Sequence, residues 1–143
     1  GYFCDFDRNF AVEFATDEAF RAHTKLIDAI HEAVRILKPG QVKSKDLYLA
    51  MDSVLRSDQS EVLSTGDDVG RYGHGLGIQL TESPSHTSWD ETIIEPGMVL
   101  TLEPSIVYGK EKFLMVAEEN ILITESGVEF LSEICERNLK VLK

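Results

Sequence analysis

Glu103 and Glu118 stand 15 positions apart, each inside an apolar stretch: Val99-Leu100-Thr101-Leu102 precedes the first and Ile121-Leu122-Ile123 follows the second. Their midpoint falls between Lys110 and Glu111, in the polar break Gly109-Lys110-Glu111-Lys112. A symmetric hairpin about that break sets the two carboxylates side by side, with Cβ atoms roughly 4.5–5.5 Å apart on one face. Like charges at that spacing repel unless a cation or a shared proton lies between them. The plain alternative is a solvent-facing carboxylate pair on an amphipathic hairpin.

His74 lies in Gly73-His74-Gly75-Leu76-Gly77. Glycines on both sides let other backbone pack close and fix the imidazole. The spacing is not that of a phosphate-binding GxGxxG loop, and a lone histidine here also reads as structural. Asp5 and Asp7 alternate in Cys4-Asp5-Phe6-Asp7-Arg8, so a strand presents both on one face, away from Arg8. Asp7 alone reads equally as a solvated charge. Together Asp5, His74, Glu103 and Glu118 make an oxygen-rich set with one imidazole and no thiolate. Such a set suits Mn²⁺, Co²⁺ or Fe²⁺, with Zn²⁺ also accommodated, and argues against a structural zinc.

These residues need a scaffold, and the hydrophobic pattern supplies one. Residues 2–13 are rich in Tyr, Phe and Val and read as a strand. Thr16 reads as a helix N-cap with Asp17 and Glu18 in the first turn. Apolar positions recur helically to Leu37 before Pro39-Gly40 ends the run. A second helix is expected from a Ser44 cap, with Leu47, Met51, Val54 and Leu55 as its stripe. Ser57–Tyr72 reads as a loop, Gly73–Leu80 as a strand and Ser83–Glu95 as a long loop. Met98–Tyr108 and Phe113–Thr124 form the hairpin, and a short strand follows at Val128–Leu131. Helices first and a β-ribbon second give an α+β fold class.

The 143-residue length suits one domain, and 43% hydrophobic residues suffice for a core. A net charge of −11 repels phosphate backbones, which argues against nucleic acid as a partner. No apolar run reaches the roughly 20 residues of a membrane span. Cys4 and Cys135, near opposite ends, make no disulfide framework, and reduced thiols in a cytoplasmic protein are expected. The chain opens on Gly1-Tyr2-Phe3-Cys4-Asp5, without Met or a basic leader, and reads as the inside of a strand from something longer.

Four segments in order resemble the pita-bread family of methionine aminopeptidases, Xaa-Pro dipeptidases and creatinase. Gly1–Phe10 resembles Gly-Tyr-x-Ser-Asp-x-Thr-Arg-Thr-Phe, with Asp7 at the Thr position. Gly73–Gly77 resembles Gly-His-Gly-Ile-Gly. Glu95–Pro104 resembles Pro-Gly-Met-Val-x-Thr-x-Glu-Pro, and Glu118–Thr124 resembles Glu-Asp-Thr-Val-Leu-Val-Thr. The resemblance implies a pita-bread fold with helices on a curved antiparallel sheet, of which residues 1–143 are the C-terminal part. It implies two divalent ions, Mn²⁺ or Co²⁺ first and Zn²⁺ or Fe²⁺ next. Asp5 and Glu118 would bridge them, and His74 and Glu103 would complete one ion. The family's fifth ligand is an Asp upstream of Gly1, so this piece alone is expected to be inactive.

The implied reaction is cleavage of an amide bond in a dipeptide or small peptide by metal-activated water, with Glu103 carrying the proton. Intact members are expected to be homodimers acting on small peptides or small amides. Glu82 and Thr81 are expected to line the substrate pocket, and Asp7 and Glu119 to orient the ligands. The family's second His, seven residues after the first, is Thr81 here, with His86 as a conceivable substitute. An Arg common two residues before the last ligand Glu is Val116. These departures suit a divergent branch. Two other readings are a metal-free, creatinase-like amidinohydrolase and a pita-bread scaffold that only binds.

Overall fold

The computed structural model describes residues 1–57, 63–64 and 70–143. Most of the expected Ser57–Tyr72 loop lies outside them.

Helix α1, Asp17–Ile36, begins where the cap was read: Thr16 Oγ1 accepts the Ala19 N–H at 3.2 Å. Its apolar stripe, including Ala22, Leu26, Ile27, Ile30 and Ala33, is buried against the rest of the core. Helix α2, Ser44–Leu55, packs on α1 and buries Leu47, Met51 and Leu55. Its start differs from expectation, because Ser44 is the first helical residue and not the cap. The Lys43 N–H donates to Asp46 Oδ2 at 2.9 Å, which closes the first turn. The Ser44 hydroxyl is engaged elsewhere, 2.7 Å from His86 Nδ1 in the interior. Ser44→Ala should therefore strand one buried imidazole nitrogen and cost about 1–3 kcal/mol. A urea midpoint unchanged by that substitution would contradict it.

Among the described residues, ten strands form three sheets. A five-stranded sheet runs β4 (Glu82–Ser85), β3 (His74–Gly75), β5 (Val99–Leu102), β8 (Glu119–Thr124), β9 (Gly127–Phe130). A three-stranded sheet runs β2 (Leu63–Ser64), β6 (Ser105–Tyr108), β7 (Phe113–Val116). β1 (Phe10–Val12) pairs in parallel with β10 (Lys140–Leu142), a strand not anticipated from the sequence. Helices packed on antiparallel sheet make the α+β class correct.

Three expectations need correction. Residues 2–9 are not a regular strand. The Phe3 N–H goes to the Gly77 carbonyl and the Asp5 N–H to Asn120 Oδ1, single contacts that build no ladder. Only His74–Gly75 of the Gly73–Leu80 stretch pairs as a strand, and the chain then bends until Glu82–Ser85 returns as β4 inside the expected loop.

The hairpin is divided between two sheets. Its register nonetheless runs unbroken from Val99↔Leu122 through Leu102↔Glu119, and resumes from Ser105↔Val116 to Tyr108↔Phe113. In that register Glu103 falls opposite Glu118. The ladder opens there because Pro104 has no N–H to give. The Glu103 N–H turns to the Tyr72 carbonyl at 3.0 Å and the Glu118 N–H to the Asp7 carbonyl at 3.5 Å. Among the described residues no helix is long and apolar enough to cross a membrane.

Candidate metal centre

The break in the hairpin is where the acidic side chains meet. Glu118 is 2% exposed, and Glu103 and Asp5 are partly covered. Ligand-type atoms of Asp5, His74 and Glu118 lie within 4.8 Å of one another, and so do those of Asp7, Glu103 and Glu118. Glu118 belongs to both groups and sits at the centre. His74 Nε2 is 3.8 Å from Asp5 Oδ2 and 3.9 Å from Glu103 Oε2.

The histidine is held in a ligand-ready state. Its Nδ1 lies 2.8 Å from the Gly75 carbonyl, which can only accept, so Nδ1 carries the hydrogen. Nε2 then presents a lone pair towards the carboxylates. The His74 N–H donates to Thr101 Oγ1 at 3.1 Å, tying β3 to β5. The flanking glycines are sterically required. A Cβ at Gly73 would stand 2.2 Å from the Thr101 carbonyl oxygen, and one at Gly75 would stand 2.3 Å from that of Ser83.

Arg8, expected to stay away from Asp5 and Asp7, turns to the opposite side. It donates to Glu119 Oε2 at 2.8 Å, to the Glu118 carbonyl at 2.8 Å and to the Glu133 carbonyl at 2.7 Å. Glu119 is buried and also accepts from the Cys135 N–H and Ser132 Oγ. The N-terminal segment is thereby clamped across β8, next to the residue at the centre of the cluster. Asn9 Nδ2 adds a bond to the Val116 carbonyl at 2.6 Å.

The electrostatics fit a cation. Burial first, then the carboxylates of Glu103, Asp5 and Asp7, push the Glu118 carboxyl up to about 8. Burial also raises Glu103, against a smaller opposing pull from His74. Glu118 Oε1 is buried with no hydrogen-bond partner among the described residues. A buried acceptor without a donor is costly. A hard divalent ion supplies what the site lacks, and the donor set of carboxylates plus one imidazole suits Mn²⁺, Co²⁺, Fe²⁺ or Zn²⁺.

Asp7, expected to orient the ligands, is exposed, and its carboxylate comes within 4.8 Å of ligand-type atoms of Glu103 and Glu118. Other expected site residues lie apart from the cluster. Glu82 folds back to accept the Gln79 N–H at 2.7 Å, and it lines a cavity of about 360 Å³ together with Gly77 and Met98. Thr81 is exposed on the preceding bend. His86 does not replace the missing histidine: it is 0% exposed, bonded to Ser44, and driven to a pKa of about 4 chiefly by burial.

The chain is similar to known peptidases along nearly its whole length. It is 30% identical over 138 residues to the Xaa-Pro dipeptidase of Pyrococcus furiosus, covering 96% of this chain and 38% of that protein. The solved structure of a dipeptidase from Pyrococcus horikoshii OT3 superposes with a TM-score of 0.84 at 26% identity, covering 99% of this chain and 38% of that one. An X-Pro aminopeptidase from Thermotoga maritima gives 0.83 at 27% identity with the same coverage. The expected pita-bread fold is therefore correct, and the chain spans little more than a third of the relatives' length. A sequence model of metallopeptidase family M24 matches residues 1–125, and this chain belongs to that family.

Proposed function

We propose that the protein carrying this chain is a divalent-metal-dependent hydrolase of the Xaa-Pro dipeptidase and aminopeptidase type. It would cleave an amide bond in a dipeptide or small peptide. The observation that carries this reading is that Asp5 with His74, and Glu103 with Asp7, each come within 4.8 Å of Glu118, whose Oε1 is buried without a hydrogen-bond partner among the described residues. Loss of function commonly erodes such a set, and here Asp5, His74, Glu103 and Glu118 are all retained.

In this reading two ions are held, Mn²⁺ or Co²⁺ before Zn²⁺ or Fe²⁺. Asp5, Glu118, His74 and Glu103 would hold them, Asp5 and Glu118 as the shared carboxylates, with Asp7 within 4.8 Å of Glu103 and Glu118. When bound, such ions polarise a carbonyl and acidify water. The chain's own residues do the rest. Glu103, with its carboxyl raised by burial, carries a proton from the nucleophile to the leaving amine. His74, fixed by the Gly75 carbonyl, holds its Nε2 lone pair on one side of the cluster. Arg8, bridging Glu119 and the Glu118 carbonyl, keeps the central carboxylate in register. The substrate would be a small peptide, and the intact protein a cytoplasmic homodimer.

The test is metal content and hydrolysis of Xaa-Pro dipeptides by the protein that carries this chain, purified without chelator and supplied with Mn²⁺ or Co²⁺. Turnover that Glu103→Ala lowers at least about 100-fold is the expected result. Binding of no metal at all would overturn it and favour a metal-free amidinohydrolase or a binding scaffold.

A further inference from the structure

Asp5 and Asp7 both reach Glu118, but in different company. Ligand-type atoms of Asp5 fall within 4.8 Å of those of His74 and Glu118, and those of Asp7 within the same distance of Glu103 and Glu118. The first group contains an imidazole, and the second is oxygen alone. Asp7 also stands where the resembling motif has Thr. That difference changes what the position can do. A hydroxyl donates a hydrogen bond to a neighbouring carboxylate, whereas an ionised carboxylate only accepts.

When ionised, Asp7, Glu103 and Glu118 are therefore three acceptors side by side. The backbone that carries Asp7 is pinned. Arg8 Nη1 donates to the Asp7 carbonyl at 3.0 Å, and the Glu118 N–H donates to the same oxygen at 3.5 Å. The Arg8 guanidinium is committed to Glu119 and to main-chain carbonyls. Among the described residues, no cation or N–H is paired with the Asp7 carboxylate. Glu118 is 2% exposed, and its Oε1 has no partner among them either. The Asp7 charge adds to the upward push on the carboxyls of both Glu103 and Glu118. One shared proton reconciles only one pair of these oxygens. A divalent cation takes an oxygen from each of the three residues.

We propose that Asp7 is itself a metal ligand, and that Asp7, Glu103 and Glu118 form an oxygen-only pocket for a hard divalent cation such as Mn²⁺, sharing Glu118 with the group of Asp5 and His74. This rests on the metal-dependent reading above and adds to it: Asp7 meets the ion directly and does not only orient other ligands. Carboxylates without nitrogen or sulfur suit Mn²⁺ better than Zn²⁺. Asp7 is exposed, so the pocket is open to solvent on its side and leaves room for water on the ion.

The protein that carries this chain is stripped with chelator and titrated calorimetrically with Mn²⁺ alone, as wild type, Asp7→Asn, Asp7→Thr and Asp7→Glu. The Asn and Thr variants should bind one Mn²⁺ at least about tenfold more weakly, and the Glu variant should keep part of the affinity. The loss should persist at roughly 0.5 M salt, which screens an exposed charge acting only through space. Pulsed electron paramagnetic resonance in D₂O counts water on the bound Mn²⁺. Asp7→Thr should gain a coordinated water in place of the lost carboxylate oxygen, a change that a merely structural residue would not produce. Glu125→Gln removes one charge from an exposed turn and should leave Mn²⁺ binding as it is. Circular dichroism confirms that each variant is folded.

Wild-type affinity in Asp7→Thr, a loss that vanishes at high salt, or an unchanged number of bound waters would overturn the proposal. Hydrolysis of Xaa-Pro dipeptides, followed in the same preparations, separates it from the peptidase reading. Turnover together with Mn²⁺ binding that is indifferent to Asp7 sinks the ligand assignment alone. Asp7-dependent Mn²⁺ binding without turnover sinks the peptidase reading and leaves the ligand standing.

Discussion

In chelator-treated protein, Glu118→Gln is expected to reduce the loss of stability that wild type shows as pH rises from about 6.5 to 8.5. The folded carboxyl is raised to about 8, whereas its ordinary value is 4.5. The folded chain therefore keeps a proton that the unfolded chain releases. That contribution to stability is complete below the unfolded pKa and is lost as pH rises through the folded one. The linkage amounts to a few kcal/mol, shared with the neighbouring carboxylates because they titrate together. Urea melts at pH 5, 7 and 8.5 with EDTA measure it. From pH 7 to 8.5 wild type should weaken more than the Gln variant, whereas below about pH 6.5 the buried His86, neutral when folded, acts in the opposite sense in both; parallel behaviour of the two across the whole range would refute the assignment. With Mn²⁺ present the sign reverses, because the ion binds the ionised carboxylate and competes with the proton. Mn²⁺ affinity should rise with pH over the same window, and the Gln variant should lose about 100-fold or more of it.

The second large effect is expected at Gly73. Its φ is +133°, a region that L side chains rarely adopt. An added Cβ would lie 2.2 Å from the Thr101 carbonyl oxygen and 2.7 Å from His86 Cδ2. Neither neighbour can yield easily. Thr101 is in the middle strand of the five-stranded sheet, and His86 is buried and bonded to Ser44. Gly73→Ala should cost on the order of 4 kcal/mol and displace His74 from the cluster. Gly97→Ala is the control: its φ is also positive, at +91°, but nothing lies within 4 Å of the added Cβ. It should cost only about 1 kcal/mol. Equal denaturation midpoints for the two variants would show that the close approach at Gly73 is unimportant.

Much of this was legible in the chain itself. The Thr16 cap and the Pro39-Gly40 stop framed α1 because capping and breaking are local effects that depend on neighbouring residues. The placement of Glu103 opposite Glu118 followed from symmetry about Gly109–Lys112, since hairpin register is set by its turn. The glycines around His74 signalled close backbone packing before any neighbour was known.

What the tertiary structure decided was long-range. The sequence shows that Pro104 cannot donate, but not that Tyr72 and Asp7 supply the acceptors that let the hairpin change sheets. Ser44 has the chemistry of a cap, yet burial beside His86 redirected its hydroxyl, and burial also left His86 neutral and without exposed surface. Asp7 looked like a solvated charge because its partners, Glu103 and Glu118, lie about a hundred residues away along the chain. Residue type and spacing determined which groups could do chemistry; only packing determined their distances, their protonation and which of them face one another.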